Sequence, residues 1–288
     1  MSAGNGMFGE KTRVKPVRWG IIGCGVVTEV KSGPAYQKVE GFELTSVMRR
    51  NLEAAESYAR RHGIAHFTDN ADDIINDDQI DAIYIATPPD SHKYYALKVA
   101  QAGKPCCVEK PLAPSYKDSV QINEAFTSNN IPLFVAYYRR SLPRFNHVKR
   151  WLDEGVIGEV RHVCWNLSKP ANQTDLSGAL NWRTDAAVAP AGYFDDLACH
   201  GLDLFGYLLG NICEAKGVTA NQQGLYSAND AVSASWLHES GVTGSGSWNF
   251  GCFEREDRVE VFGDQGKLTF SIFDEKPIVL KSRLGEQV

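Results

Sequence analysis

The segment "VRWGII" (17–22) runs directly into "GCG" (23–25) and then into helix-forming residues. A β-branched apolar run that breaks on glycines and resumes as helix requires a tight turn. At such a turn the backbone itself, with no Cβ in the way, faces whatever lies beyond the sheet edge. The alternation then repeats. "FELTSVM" (42–48) reads as a strand, and "NLEAAESYARRHG" (51–63) as a helix closing on basic residues and Gly63. A short strand "AHF" and a small helix "NADDIIN" follow. "DAIYIAT" (81–87) is a near-continuous apolar strand, the pattern of a strand covered on both faces. "DSHKYYALKVAQAG" (90–103) reads as a helix with Asp90 or Ser91 as N-cap and Gly103 as C-cap. "PCCVEK", "SYKDSVQINEAFTSNN" and "PLFVAYY" continue as strand, helix and strand. The rhythm predicts an α/β unit with a doubly wound parallel sheet.

After about residue 140 the rhythm changes. A basic helix "FNHVKRWLDEG" leads to a strand "EVRHVCWNLS". "DAVSASWLHESGVTGSGSWNF" and "DRVEVFGDQGKLTFSIF" read as hairpins turning at Glu-Ser-Gly and Gly-Asp-Gln-Gly. Leu268, Phe270 and Ile272 alternate with polar residues, as in a half-buried antiparallel strand. Two domains are therefore expected. Residues 1–140 form the doubly wound unit, with 1–16 a loose lead-in, and 141–288 an α+β unit with an open, mainly antiparallel sheet. A sheet apolar on one side needs cover, and a second subunit, as in a homodimer or homotetramer, is one way to supply it.

With 288 residues the chain has room for two real cores. Net charge −5 and pI near 5.8 leave no basic footprint for nucleic acid or an anionic membrane. No apolar run reaches the roughly 20 residues that span a bilayer, and the polar start lacks the apolar core of a signal peptide. Seven scattered cysteines without a CxxC pair point to reduced thiols and a cytoplasmic chain.

The turn after the first strand suits a dinucleotide. Gly23, Cys24 and Gly25 bring backbone close to a pyrophosphate, and Val26 and Val27 open a helix whose first N–H groups receive the anion. The third glycine of the usual pattern is replaced by Thr28. At the end of the second strand, an NAD enzyme usually carries an acid for the ribose 2′-hydroxyl; here Arg49 and Arg50 stand there, which favours the 2′-phosphate of NADP. "ATPPDSH" (86–92) lies at the carboxyl edge of the sheet, so Thr87, Pro88 and Pro89 are expected along the cofactor, and His92 faces either the cofactor or solvent.

These segments, with "EKPLA" (109–113), "YYRR" (137–140), "GVIGEV" (155–160), "NWR" (181–183) and "FDDLACHGLD" (194–203), resemble the Gfo/Idh/MocA oxidoreductases in order and from about 17 to 273. The resemblance implies that Lys110 contacts the reacting substrate oxygen beside the nicotinamide. A residue before proline is held extended, so Lys110 is aimed, and its ammonium can stabilise alkoxide character. Glu109 is implied near the nicotinamide ribose. Asp196 and His200, spaced i,i+4, share one helix face. By resemblance His200 is the acid/base and Asp196 completes the pair, a role suited to a near-neutral imidazole. Asp203, three residues further, shares that face as a supporting group. Tyr138 either lines the substrate pocket or packs as core. Trp182 is expected against the substrate and Arg183 against the cofactor, or the two as helix packing. Ala198, where relatives often carry glycine, is expected to narrow the pocket. Two candidate ligands do not make a metal site. The family also implies more sheet and a helix beyond Val288.

The expectation is thus an NADP-dependent oxidoreductase of a sugar, polyol or related cyclic alcohol. An NAD-dependent dehydrogenase, a dihydrodiol-type reductase and a non-catalytic nucleotide-binding sensor are the alternatives.

Overall fold

The computed structural model of the chain describes residues 15–179, 181–283 and 285–288. The expected lead-in at 1–16 lies outside them except for its last two residues. The chain divides into two compact units. One takes the chain up to Thr87, with Ser91–Glu109 and Ser119–Phe134; the other takes Pro88–Asp90, Lys110–Asp118 and Val135–Val288.

The first unit carries strands β1 (Val17–Ile22), β2 (Phe42–Met48), β3 (His66–Thr68), β4 (Ala82–Ile85), β5 (Cys106–Val108) and, at its border, β6 (Leu133–Val135). They form a six-stranded parallel sheet in the order β3-β2-β1-β4-β5-β6. This is the order of a dinucleotide-binding sheet, with its reversal between β1 and β4. Ile21, Ile22, Val47, Ile83, Ile85, Cys106 and Val108 are wholly buried, as central parallel strands require. Both cysteines of the adjacent pair sit in β5, Cys106 in the core and Cys107 half-buried.

Six helices connect the strands: α1 (Val26–Val30), α2 (Ser32–Lys38), α3 (Leu52–His62), α4 (Ala71–Ile75), α5 (His92–Gln101) and α6 (Tyr116–Ser128). The single helix expected through about Tyr36 is two. The chain breaks at Lys31 (φ −112°, ψ −81°) because the Thr28 carbonyl accepts from Tyr58 Oη at 2.9 Å. Helix α3 starts on Asn51, whose side chain accepts from Ala54 N, and stops at Gly63 in the left-handed region. Before α5 the expected cap at Ser91 makes no side-chain cap; its Oγ donates to Thr87 Oγ1 at 2.8 Å instead.

The second unit contains α7 (Pro143–Asp153), β7 (Val160–Ser168), α8 (Gln173–Leu176), α9 (Tyr193–Leu209), β8 (Ile212–Ala220), β9 (Ala231–His238), β10 (Thr243–Asn249), β11 (Glu256–Gly263), β12 (Gly266–Phe270), β13 (Val279–Ser282) and β14 (Gly285–Gln287). Its eight strands order as β14-β13-β12-β11-β7-β10-β9-β8. Both expected hairpins are present as antiparallel pairs, while β7 and β10 pair in parallel. Strand β8 was not apparent in the sequence: nearly all its side chains are exposed, so no buried alternation marks it.

The inner face of this sheet is aromatic. Trp165 meets Trp248 edge-to-face at 5.4 Å and Phe205 at 5.8 Å, and Phe205 stacks on Trp236. Gly244 and Gly246 leave the room on β10 that the Trp236 and Trp248 rings occupy. Helix α9 lies on this layer through Leu204, Phe205 and Leu208. A Cβ on Gly201 would overlap the Trp165 ring, so glycine there lets the helix approach closely. The outer face is polar. Glu260 pairs with Arg258 and Lys267, and His162 bonds Thr243 and Ser245.

Candidate functional site

In the first unit, the site is made of backbone. Gly23 has φ +95°, and a Cβ there would lie 2.8 Å from Thr87 N. Gly23 N and Cys24 N donate to Met48 O at 2.9 and 3.0 Å, tying the turn to the end of β2. Gly25 N donates to Thr28 Oγ1 at 2.9 Å, so the residue in place of the third glycine caps the turn. The amides of Val26 and Val27 then open α1, where first-turn N–H groups have no acceptor within the helix. The side chain of Cys24 is wholly buried. Burial pushes its thiol up to about 11, against the nearby charge of Arg49.

Arg49 and Arg50 follow β2 directly and are exposed. The Cys24 thiol feels the Arg49 charge, which places that guanidinium within electrostatic reach of the glycine turn. Backbone N–H groups at the turn suit an anion such as a pyrophosphate, and the exposed guanidinium groups after β2 are cationic. His92 faces neither solvent nor an open surface. It is fully buried, its Nε2 2.8 Å from Thr87 O, and so braces the Thr87 turn. Pro89 is buried, and Pro88–Asp90 group with the second unit. Glu109 N donates to Ile85 O at 2.8 Å, and Tyr84 Oη donates to Glu109 Oε1 at 2.5 Å, so the carboxylate is fixed at the tip of β5.

In the second unit, the site is made of side chains. Lys110, joined to Pro111 by a cis peptide bond, donates from Nζ to Asp196 Oδ1 at 2.6 Å and to Asp196 O at 3.0 Å. Arg183 Nε donates to Asp196 Oδ2 at 2.6 Å. Burial of Asp196 works against ionisation, but Lys110 and Arg183 outweigh it and hold the carboxyl below its ordinary range. One turn further along α9, His200 is 5% exposed. Tyr138 and Phe273 present themselves edge-on to its ring at 5.8 and 6.0 Å, with Tyr137 at 6.4 Å. Tyr138 is half exposed at this position and is not core.

The structure gives surroundings for three further residues of the sequence reading. Asp203 is taken by Arg140, with Nε to Oδ2 at 3.0 Å, so it supports that arginine. Ala198 is fully buried in the sheet–helix core, where it fills space against the sheet. Arg183 holds Asp196 and lies over the Trp182 ring at 4.4 Å.

Several residues of the site were not singled out from the sequence. Arg139 is half-buried between Tyr138 and Phe273, 5.3 and 4.5 Å from their rings, and donates to Ile272 O at 2.6 Å. Tyr137 and Arg139 were within the quoted "YYRR", and only that cluster could have marked them. Asp175, Tyr193 and Lys169 form a second polar group. Tyr193 Oη donates to Asp175 Oδ1 at 2.7 Å, and Lys169 Nζ sits 3.7 Å over the Tyr193 ring. Trp182, Asp175 and Tyr226 also line a cavity of about 550 Å³. Lone residues spread over 58 positions, from 169 to 226, give no local signal.

The chain matches the profile described as "Oxidoreductase family, NAD-binding Rossmann fold" over residues 17–137 and that of the GFO/IDH/MocA C-terminal domain over 145–269. It is 38% identical to Oxidoreductase P35 of Formosa agariphila, over 94% of this chain and 84% of that protein. It is 32% identical to scyllo-inositol 2-dehydrogenase (NADP(+)) of Bacillus subtilis, over 55% of this chain and 48% of that one. Among solved structures, levoglucosan dehydrogenase in complex with NADH and levoglucosan superposes with a TM-score of 0.81 at 24% identity, covering 93% of this chain and 76% of that one. Among the described residues no helix is long and apolar enough to cross a membrane.

Proposed function

Because this chain belongs to the Gfo/Idh/MocA oxidoreductase family, we propose that it passes a hydride between NADP and a secondary alcohol, or its ketone, in a sugar, polyol or related cyclic alcohol. The observation that carries the reading is the ion pair of Lys110 with Asp196, one helical turn from His200. The relative that acts on scyllo-inositol with NADP supports both the polyol and the cofactor.

A bound nicotinamide would supply the hydride acceptor or donor. Gly23, Gly25 and the amides of Val26 and Val27 would hold its pyrophosphate, and Arg49 and Arg50 its 2′-phosphate. Thr87, Pro88, Pro89 and Glu109 flank the nicotinamide half. Lys110 donates to the reacting oxygen. As the hydroxyl proton leaves for His200, the ammonium stabilises the alkoxide that forms. Asp196 keeps Lys110 aimed and remains ionised, so it does not compete for that proton. Arg183 serves the site through Asp196, and Tyr138 and Trp182 shape the wall around the substrate. We further propose that 1–140 and 141–288 act as nucleotide and substrate domains, that the protein works in the cytoplasm, and that it pairs as a homodimer or homotetramer through the outer face of the second sheet. That face is broad and ion-paired, which supports a polar contact in place of the apolar one expected.

Isothermal titration with NADPH and NADH tests the cofactor, and a panel of neutral sugars and cyclitols with NADP⁺ tests the reaction. NADPH is expected to bind at least tenfold tighter, about 1.4 kcal/mol, and at least one polyol or sugar to be oxidised. Equal affinities overturn the role of Arg49 and Arg50. Binding of NADPH with no turnover of any carbohydrate overturns the substrate class.

A further inference from the structure

The cavity in the second unit has a composition that the hydride-transfer chemistry does not require. It measures about 550 Å³ and is lined by Asp175, Asn181, Trp182, Asp185, Tyr226 and Ser227 among others. That volume is well within the range of sites for small ligands. Among the described lining residues there is no lysine, arginine or histidine. Lys169 has its ammonium over the face of Tyr193, the residue that bonds Asp175, and Arg183 lies over the Trp182 ring. Asp175 is 5% exposed, with one oxygen receiving the Tyr193 hydroxyl. Tyr226 carries a buried hydroxyl that has no hydrogen-bond partner among the described residues. A buried hydroxyl without a partner is costly unless a ligand or water supplies one.

Two carboxylates, an amide and a phenol offer acceptors and donors in the mixed pattern that ring hydroxyls satisfy. The indole of Trp182 offers an apolar face to the C–H side of a pyranose. The two carboxylates repel phosphate, sulfate and uronate groups. One lining residue, Trp182, is linked to the reaction centre through side chains. Trp182 lies under Arg183, Arg183 holds Asp196, and Asp196 holds Lys110.

We propose that this cavity is a subsite for a second, uncharged glycosyl unit, so that the substrate class is a neutral glycoside or disaccharide and not a free monosaccharide or a phosphorylated or acidic sugar. The inference rests on the carbohydrate-oxidoreductase reading above. Asp175 and Asn181 take hydroxyls of the unit that is not oxidised, Trp182 covers its ring, and Tyr226 donates to it. Discrimination of this kind comes from polar groups left unpaired when the smaller substrate binds.

The test compares neutral disaccharides and methyl glycosides with their parent monosaccharides, using NADP⁺, in the wild-type protein and in Tyr226→Phe and Asp175→Asn. Tyr226→Phe removes only a hydroxyl that no described residue bonds, so it folds even where Asp175→Asn does not. The expected result is a kcat/KM at least tenfold higher for a disaccharide than for its monosaccharide. Tyr226→Phe should erase most of that ratio by raising the disaccharide KM, and leave monosaccharide turnover within twofold. A wild-type preference for the monosaccharide, or a variant that slows both substrates equally, overturns the subsite. Calorimetric titration with the same sugars separates the two readings. Disaccharide binding that Tyr226→Phe weakens, without turnover of any sugar, keeps the subsite and overturns the oxidoreductase substrate class. No binding of any neutral sugar overturns the subsite directly.

Discussion

The two candidate sites in this chain are built from different materials. In the first unit, the candidate pyrophosphate cradle is made of main-chain N–H groups at a glycine turn, and the thiol of that turn is sealed in the core. In the second, the candidate site is made of three charged side chains, Lys110, Asp196 and Arg183, that meet across the sequence. Lys110 and Asp196 are 86 residues apart and 2.6 Å from one another. A backbone site is encoded by a short run of residues and tolerates change around it. A side-chain site is encoded by distant residues, and each member leaves a charge exposed to its neighbours when removed.

That contrast predicts where mutations act. Lys110→Ala should lower kcat by on the order of a hundredfold or more, while the NADPH Kd stays within about threefold. A parallel loss of cofactor affinity would show that the lysine serves the dinucleotide and that the two sites are not separable. Gly23→Ala should do the reverse. A side chain at φ +95° against Thr87 N must shift the turn, so NADPH should bind about tenfold more weakly or worse, as read by calorimetry. Arg49→Ala should weaken NADPH by about tenfold and leave NADH nearly unchanged; loss of both would mean the arginine reads the pyrophosphate.

The acid limb of stability sharpens the comparison further. The Asp196 carboxyl is held below its ordinary 3.8 by Lys110 and Arg183 despite burial. A depressed pKa contributes stability that is complete above the unfolded value and is lost as pH falls through the folded one. The melting temperatures of wild type and Asp196→Asn should therefore differ by a constant amount from pH 7 down to about 4, and converge below that. Divergence beginning near pH 6 would assign the effect to a histidine. The smallest effect belongs to a local cap in the first unit. Asn51→Ala should cost about 1 kcal/mol in denaturant unfolding with no change in substrate kinetics.

The same contrast decides what the sequence disclosed. Strands β1 and β2 and the limits of α3 are legible because each is signalled within its own residues, by an apolar run, an Asn cap or a closing glycine. The break between α1 and α2 is not, since it depends on a hydrogen bond from Tyr58, thirty residues on. His92 read as a residue facing cofactor or solvent, because sequence does not show that its ring turns inward to Thr87 O. Lys110, Asp196 and His200 were named through a resemblance, with only the i,i+4 spacing legible on its own. The arginine clamp on Asp196 and the ring of Tyr137, Tyr138 and Phe273 around His200 required three-dimensional placement. The polar outer face of the second sheet also went unread, because an alternating pattern reports that one face is buried and says little about the other.

The aromatic layer beneath α9 has a spectroscopic consequence. Of the six tryptophans, Trp19 alone falls in the first unit; Trp151, Trp165, Trp182, Trp236 and Trp248 fall in the second. Trp165 and Trp248 are fully enclosed, so the intrinsic emission of the protein is a blue-shifted reporter of one unit, nearly blind to the other. A red shift on heating or in urea therefore marks the opening of the α9 layer. Most of the short helices lie in the first unit, so far-ultraviolet ellipticity weights that unit. Comparing the two transitions tells which half of the molecule yields first, with no label and no substitution.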